Sequence, residues 1–579
     1  MATPSRGGAP VPATFPAERR EARAQLVDCA RCYFLSAVLA ASISPAFGQQ
    51  APGGAWPGAS RPPPDTSPNS APETPDSGAP VGARAGQLGS SPRPPTLVIS
   101  GAILFTATDN ADLAVQPRRD YLVEGRLNLR LNLPYRRLRG FADYTLAAVH
   151  FGSGDESDEF LNALDSELTA ELIEQHGFVD VAASIGQQMR SAFGAATLSQ
   201  GVASESSTVS PSVANANRVE SAMYRVAPYF RGRLGDEGQF EARAEQSDIR
   251  FRGFDGNDYR TQRAQLLADG GVRPQALRWR SQLSGTIYDF ESGRRTSEVV
   301  FRGDLGWAFD EEKVVSLIAG REGNNFQTAQ RRYGTIYGAS LAWRPSERTH
   351  FYAEGLHRFF GTEHTVTLNH RLSRMAIVVS DSRAVTPPNQ FSDSRLASAF
   401  DVLFLQFAGV EPDPARRRTL VQDTLLRNGI DPHEQIISDF MTNSVMVVRA
   451  QTLGLSWTHV RDIVTLGVAR TDSRRADTLT LPPPADDFAS TNRVDQVGAI
   501  ASWAHRLTPT STLTLVGGLQ KASGSLPSQS TTLRSVSLLW SRQLGQVTTL
   551  ALSGRHDRFT SQTSPYRANS VTASLRTQF

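Results

Sequence analysis

Cysteine is almost absent: only Cys29 and Cys32 occur in 579 residues, and both lie near the N-terminus. Lysine is as rare, limited to Lys313 and Lys521, so nearly all of the 60 basic residues are arginines. No run approaches the roughly 18 to 20 consecutive apolar residues that a membrane-spanning helix needs, and the mean hydropathy is -0.31. These lacks exclude a disulfide-stapled scaffold and a helical transporter or channel. Any membrane role falls to another architecture. A dominant charge is also missing, since 57 acidic residues leave a net charge of only +3. Global charge therefore gives no pull toward nucleic acid. There is no GxSxG, HExxH or phosphate-binding glycine loop. The ten histidines are scattered. His364 and His370 share one strand face, which fits a structural histidine better than a metal ligand. We therefore read no catalytic, metal or cofactor site and no enzymatic activity.

What is there begins with a leader. Arg19, Arg20, Arg23 and Arg31 precede the apolar run CYFLSAVLAASI (Cys32 to Ile43), followed by Pro45 and the small-residue pattern Ala46-Phe47-Gly48. This predicts a secretory signal over 1-48, which would discard both cysteines. Its removal leaves 55 basic against 54 acidic residues. Residues 49-95 hold 12 of the 34 prolines, with Gly and Ser among most of the remainder. Such a segment cannot bury enough apolar surface to offset its ordering entropy, so it reads as a disordered periplasmic tether.

From residue 96 to 579 the pattern has period two. Leu127, Leu129, Leu131 and Leu133 alternate with Arg126, Asn128, Arg130 and Asn132, a separation that a helix cannot produce. Short turns and longer connections alternate between such segments, as they must when one end of every hairpin faces the periplasm and the other faces outward. The expectation is an all-β transmembrane antiparallel barrel of about 22 strands (20 to 22) in the outer membrane of a Gram-negative bacterium, with both termini in the periplasm. Trp279, Trp307, Trp343, Trp457, Trp503 and Trp540 each lie near a proposed short turn, as a periplasmic aromatic girdle requires. The last strand alternates to a terminal Phe579. With Leu575 it resembles the signal read by the barrel assembly machinery, although Thr577 departs from the usual apolar choice.

Two features bear on function. In the longest connection, 382-441, Leu396, Phe400, Leu403, Phe404 and Phe407 recur at helical spacing. Asp413-Pro414 and Asn428-Gly429 frame a second short helix. These helices either cap the barrel outside or fold into the lumen, and inward folding is favoured because so wide a lumen needs filling. The 190-217 connection is low in information and reads as a mobile loop. The second feature is a set of inward-facing arginines: Arg126, Arg130, Arg225, Arg231, Arg233, Arg243, Arg278 and Arg280. Guanidinium groups bind carboxylate and phosphate in a bidentate manner, so this wall could contact small anions or an acidic polysaccharide. Pairing with inward acids such as Glu241 and Glu245 is the competing role.

Particular residues also suggest a family. The stretch from Asn217 (NRVESAMYRVAPYF), Trp343 to Thr349 (WRPSERT), Arg358-Phe359-Phe360-Gly361, Pro412-Asp413-Pro414 and Asn443 resemble the PEP-CTERM system-associated outer-membrane β-barrel family. The resemblance covers about residues 96 to 579 and implies a barrel that accompanies exosortase sorting and exopolysaccharide production, with export proteins as partners. It carries over no catalytic residues. Three functions are expected: assistance in export or surface assembly of exopolysaccharide, general diffusion as a porin, or a structural or adhesive barrel acting through its loops. A TonB-dependent receptor is disfavoured, because some 47 low-complexity residues cannot form a folded N-terminal plug.

Overall fold

The computed structural model describes residues 95 to 579 except 153-157, 197-216, 236-237, 255-256, 272-276, 311, 387-397, 431-435, 438, 480-481 and 485. The expected leader and tether, and most of the 190-217 connection, lie outside the described residues.

Strands β1 (Thr96–Thr108), β2 (Asp120–Pro134), β3 (Leu138–Phe151), β4 (Glu159–Ile173) and β5 (Gly177–Met189) open the chain. They continue as β6 (Arg218–Leu234), β7 (Gly238–Phe251), β8 (Tyr259–Gly270), β9 (Leu277–Phe290) and β10 (Thr296–Ala308). Next come β11 (Lys313–Asn324), β12 (Arg332–Ser346), β13 (Thr349–Arg358), β14 (Gly361–Arg371) and β15 (Met375–Thr386). Two helices follow, α1 (Ala399–Gln406) and α2 (Pro414–Arg427). The chain ends with β16 (Met446–Thr458), β17 (Asp462–Arg475), β18 (Arg493–Thr508), β19 (Ser511–Ser523), β20 (Thr531–Gln543), β21 (Thr548–Thr560) and β22 (Tyr566–Gln578).

All 22 strands form one antiparallel sheet, each paired with its neighbours in sequence, and β1 pairs with β22. That seam runs from Ser100 opposite Gln578 to Thr108 opposite Ser570, and the Phe579 amide donates to the Ile99 carbonyl at 2.8 Å. Closure follows from the solvent: hydrocarbon offers no hydrogen bonds, so every strand edge must find another strand. Consecutive strands pair through short turns at the end that carries both termini, and mostly through longer connections at the other. The hairpin at Phe359-Phe360 is the tight exception at the external end. Its tip departs into β14 through Gly361 at φ 101°.

The two faces separate as the alternation predicts. On the outer face, Leu305, Leu317, Val536, Leu538 and Val571 are all about half exposed or more. The six tryptophans lie on this face near the short turns, and the Trp503 indole N–H donates to Asp462 at 3.0 Å. An apolar ring with one polar edge belongs at that level of a bilayer. On the inner face sit charged and hydroxylic residues such as Glu124, Arg126, Thr145, Thr465 and Ser502. The protein is an outer-membrane β-barrel of 22 strands, greasy outside and polar within.

If that outer face meets lipid, a cation on it near mid-depth is costly. Leu538→Arg is expected to destabilise the barrel by roughly 2–4 kcal/mol, read as a lower urea midpoint of the heat-modifiable folded band in liposomes. An unchanged midpoint would contradict a lipid-facing wall at β20.

Candidate functional site

The connection between β15 and β16 leaves the external end of β15 and folds into the lumen. Helix α1 begins with Ser398, whose Oγ accepts from the Asp401 amide while the Asp401 carboxylate accepts from the Ser398 amide, a reciprocal cap. Helix α2 starts on Pro414 and ends where Gly429 takes φ 67°, letting the Ile430 amide reach the Leu425 carbonyl at 3.0 Å. Such a left-handed turn favours glycine, and an added Cβ there would meet Leu539. The helices hold each other and the wall through Leu403, Val421, Leu425 and Ile430, packed with Ile463 and Ala504.

Polar contacts fix the depth. Gln406 receives a bond from the Ser456 hydroxyl at 2.7 Å and donates to Thr458 at 2.6 Å, and Thr514 donates to the Asn428 carbonyl. Ser456, Thr458 and Ile463 adjoin the short turn between β16 and β17, so the helices reach the periplasmic end of the wall. The guanidinium of Arg418 lies 6.0 Å from the Phe141 ring on β3. The chain then climbs back: Ile436 and Ile437 pack on Ala469, and Phe440 pairs with Met189 at the external end. The inward alternative is the one observed.

At the external end, described residues of the connections pack against the upper wall in two apolar clusters. One joins Leu113, Met189, Ala192, Ala196, Phe440 and Phe488 to the upper wall at Leu533, Phe559 and Tyr566. The Tyr566 hydroxyl donates to the Ala196 carbonyl. The other joins Phe251, Tyr259, Tyr288, Phe290 and Phe326 to Met441 and Val445. Residues Ser191 to Ala196, read from sequence as the start of a mobile loop, are thus anchored. Their clasp is Asp487, which accepts from the Ser191 hydroxyl at 2.6 Å and the Ala192 amide at 2.7 Å. Burial pushes its carboxyl up to about 6, against those hydrogen bonds. Neighbouring Asp486, which accepts from Thr442 and the Asn443 amide, is raised by burial as well.

On the inner side of the wall lies a cavity of about 140 Å³ bounded by residues of β6 to β15. Arg225, Arg263, Arg302 and Arg358 line it together with Glu245, Glu298 and Glu363. Arg358 bonds three carboxylates at once: Glu298 at 2.5 Å, Glu322 at 2.7 Å and Glu363 at 2.7 Å. Glu322 also accepts the Phe359 amide at 2.6 Å, which pins the tight hairpin. Arg302 bonds Asp304 and Glu354.

The eight arginines predicted for the wall do face inward, but they are not one ladder. Arg126 bonds Glu124, and Arg130 bonds Asp143. Arg243 bonds Asp180 and Glu241 and lies 4.1 Å over the Tyr229 ring. Arg225 reaches the cavity. Arg231, over the Phe178 ring, and Arg233 stand exposed near the periplasmic end of β6. Arg278 and Arg280 each bury an Nε that has no hydrogen-bond partner among the described residues. Of the two acids named as partners, Glu241 is engaged, and Glu245 lines the cavity. Sequence reasoning missed Arg302 and Arg358, which the same alternation on β10 and β13 places inward. At the chain end, Leu575 faces lipid and Phe579 is exposed beside the seam.

No family model and no curated protein matches the sequence. Among solved structures, the chain is similar to the FrpB iron transporter of Neisseria meningitidis, with 9% identity over 83% of this chain and 81% of that one at a TM-score of 0.44. It is similar also to the ferric enterobactin receptor PfeA of Pseudomonas aeruginosa, with 10% identity, 83% and 80% coverage and a TM-score of 0.42. BauA, the ferric preacinetobactin receptor of Acinetobacter baumannii, gives 11% identity, 82% and 80% coverage and 0.40. These overlaps are loose and assign no cargo.

Two outcomes follow from the geometry. Arg358→Met leaves three carboxylates unpaired inside the wall and is expected to cost roughly 3–5 kcal/mol, measured as a lower denaturation midpoint; Arg231→Met, at an exposed site, should change little. For Asp487, the folded carboxyl sits above its ordinary value. Its contribution is therefore complete below the ordinary aspartate range and lost as pH rises through about 6. Protease nicking of the 190-217 connection should rise between pH 5 and pH 7.5, and Asp487→Asn should flatten that dependence.

Proposed function

We propose that the protein is a closed, gated conduit of the outer membrane, in which the segment from Ser398 to Val445 is the gate. The observation that carries this reading is the descent of that segment through the lumen to the periplasmic end of β16 and β17. It is held by side chains that could be released without opening the sheet, since few of its bonds belong to the strand ladder. A general diffusion porin needs a steadily open constriction, and the inserted segment with the two apolar clusters at the external end argues against one.

For the cargo we propose an acidic exopolysaccharide, exported or assembled at the surface. Support comes from the guanidinium-rich wall, including the unsatisfied Nε atoms of Arg278 and Arg280, and from the resemblance to barrels that accompany exopolysaccharide production. Guanidinium groups engage carboxylates in a bidentate manner, and Arg278 and Arg280, adjacent on the inner face of β9, are the members of the set placed to do so. The adhesive reading places function in the external loops instead, and it gives no role to the segment inserted against the inner wall.

Single-channel recordings of the purified protein are expected to show little steady conductance. Deletion of 399-427, or the milder pair Leu403→Ala and Leu425→Ala, should produce large openings. A large steady conductance in the unaltered protein would favour the porin. Removal of the gene should lower secreted polysaccharide, and unchanged secretion would refute the cargo while leaving the gate standing.

A further inference from the structure

The outer wall above the apolar belt carries a second set of cations that the lumen does not use. Over β15 to β18 they are neutralised: Arg449 bonds Asp381 at 2.7 Å, Arg470 bonds Asp495 at 2.8 Å, and Arg474 and Arg493 share Asp472. Over β19 to β22 the pattern changes. Lys521, Arg534, Arg558 and Arg567 are all exposed, and no acidic side chain among the described residues pairs with them. The sheet register places Arg534 directly opposite Arg558, and Arg558 directly opposite Arg567. Leu519 stands opposite Arg534, with Lys521 one outward position higher on β19. The nearby Asp109 is engaged by the amide and side chain of Asn569.

Like charges directly across a strand pair repel, so three adjacent arginines in register are unfavourable unless an anion lies against them. Their height identifies its source. Arg534, Arg558 and Arg567 lie close to the external ends of their strands, and the same outward face carries Leu519 beside Arg534 and Val536, Leu538 and Val571 below the arginines, each 41–55% exposed. Acyl chains cover that apolar surface, so the cations sit where the headgroups of the external leaflet begin. One of the chain's two lysines stands here as well.

We propose that Lys521, Arg534, Arg558 and Arg567 form a binding site for the phosphate groups of a phosphorylated glycolipid of the external leaflet. The guanidinium forks would engage phosphate oxygens while β19 to β22 carry the acyl chains. The site is independent of the gate, and it would anchor the wall on which α2 rests through Thr514 and Leu539.

The test is native mass spectrometry of the full-length protein in non-ionic detergent, titrated with diphosphoryl lipid A. The unaltered barrel is expected to retain the lipid. The combined substitution Arg534→Gln, Arg558→Gln and Arg567→Gln should weaken retention by at least roughly tenfold, given the typical worth of a cation at an anionic membrane surface. Arg449→Gln, whose charge is already matched by Asp381, should leave it unchanged. Heat-modifiable migration checks that the triple variant folds. Should it not, Arg558→Gln alone, at the centre of the row, is expected to weaken retention several-fold. Equal retention by the folded variant, or equal retention of dephosphorylated lipid A, overturns the proposal. Full displacement by equimolar inorganic phosphate would assign the site to a free anion and overturn the lipid assignment.

Discussion

The structure depends on the unavailability of water to the backbone at mid-membrane. An unpaired amide in hydrocarbon costs several kcal/mol, so a strand there is stable only if both of its edges are occupied. That requirement joins β1 to β22 across more than 460 residues of chain, as in the pairing of Thr106 with Thr572, whose hydroxyls also bond. Once the seam closes, the period-two alternation must put one side of every strand into lipid and the other into the lumen.

Closure creates the second problem, an interior too wide for strand side chains to fill. The chain meets it in two ways. Against the wall from β16 to β19 it inserts its own segment, with Leu403, Val421 and Leu425 packing with Ile463 and Ala504 while Ser456 and Thr514 bond Gln406 and the Asn428 carbonyl. Against the wall from β10 to β14 it uses charge, with Arg302 and Arg358 each tying together carboxylates from separate strands. These solutions differ in what they permit. Apolar packing between a loop and a wall can slide or detach as a unit, whereas Arg358 holds the four strands β10, β11, β13 and β14 in fixed register.

The strands were legible in the sequence because lipid and water impose opposite demands on adjacent residues, and Leu127 to Leu133 display that directly. The girdle was legible because tryptophan has one polar edge and few other places to sit. The two helices were also legible from spacing, with Pro414 and Gly429 marking the limits of α2. Their contacts were not. Nothing in the order of residues says that Gln406 meets Ser456 or that Asn428 meets Thr514, since those pairs are 50 and 86 residues apart. The arginines were legible as inward-facing, but which acid each one meets depends on barrel register. Arg243 reaches Asp180 across 63 residues, a pairing that alternation alone cannot supply.

One segment joins the inserted helices to the apolar clusters of the external end. The segment that carries α1 and α2 does not end at the helices; it returns through Ile436 to Phe440, Met441 and Val445, which are the residues shared with the two external clusters. The clasp residues Asp486 and Asp487 sit at that junction, one holding Thr442 and Asn443 of the returning segment and the other holding Ser191 and Ala192 of the neighbouring connection. Burial raises both carboxyls above the ordinary aspartate value. That junction thus rests on titratable side chains, while the sheet that surrounds it is fixed by backbone hydrogen bonds that no proton can alter.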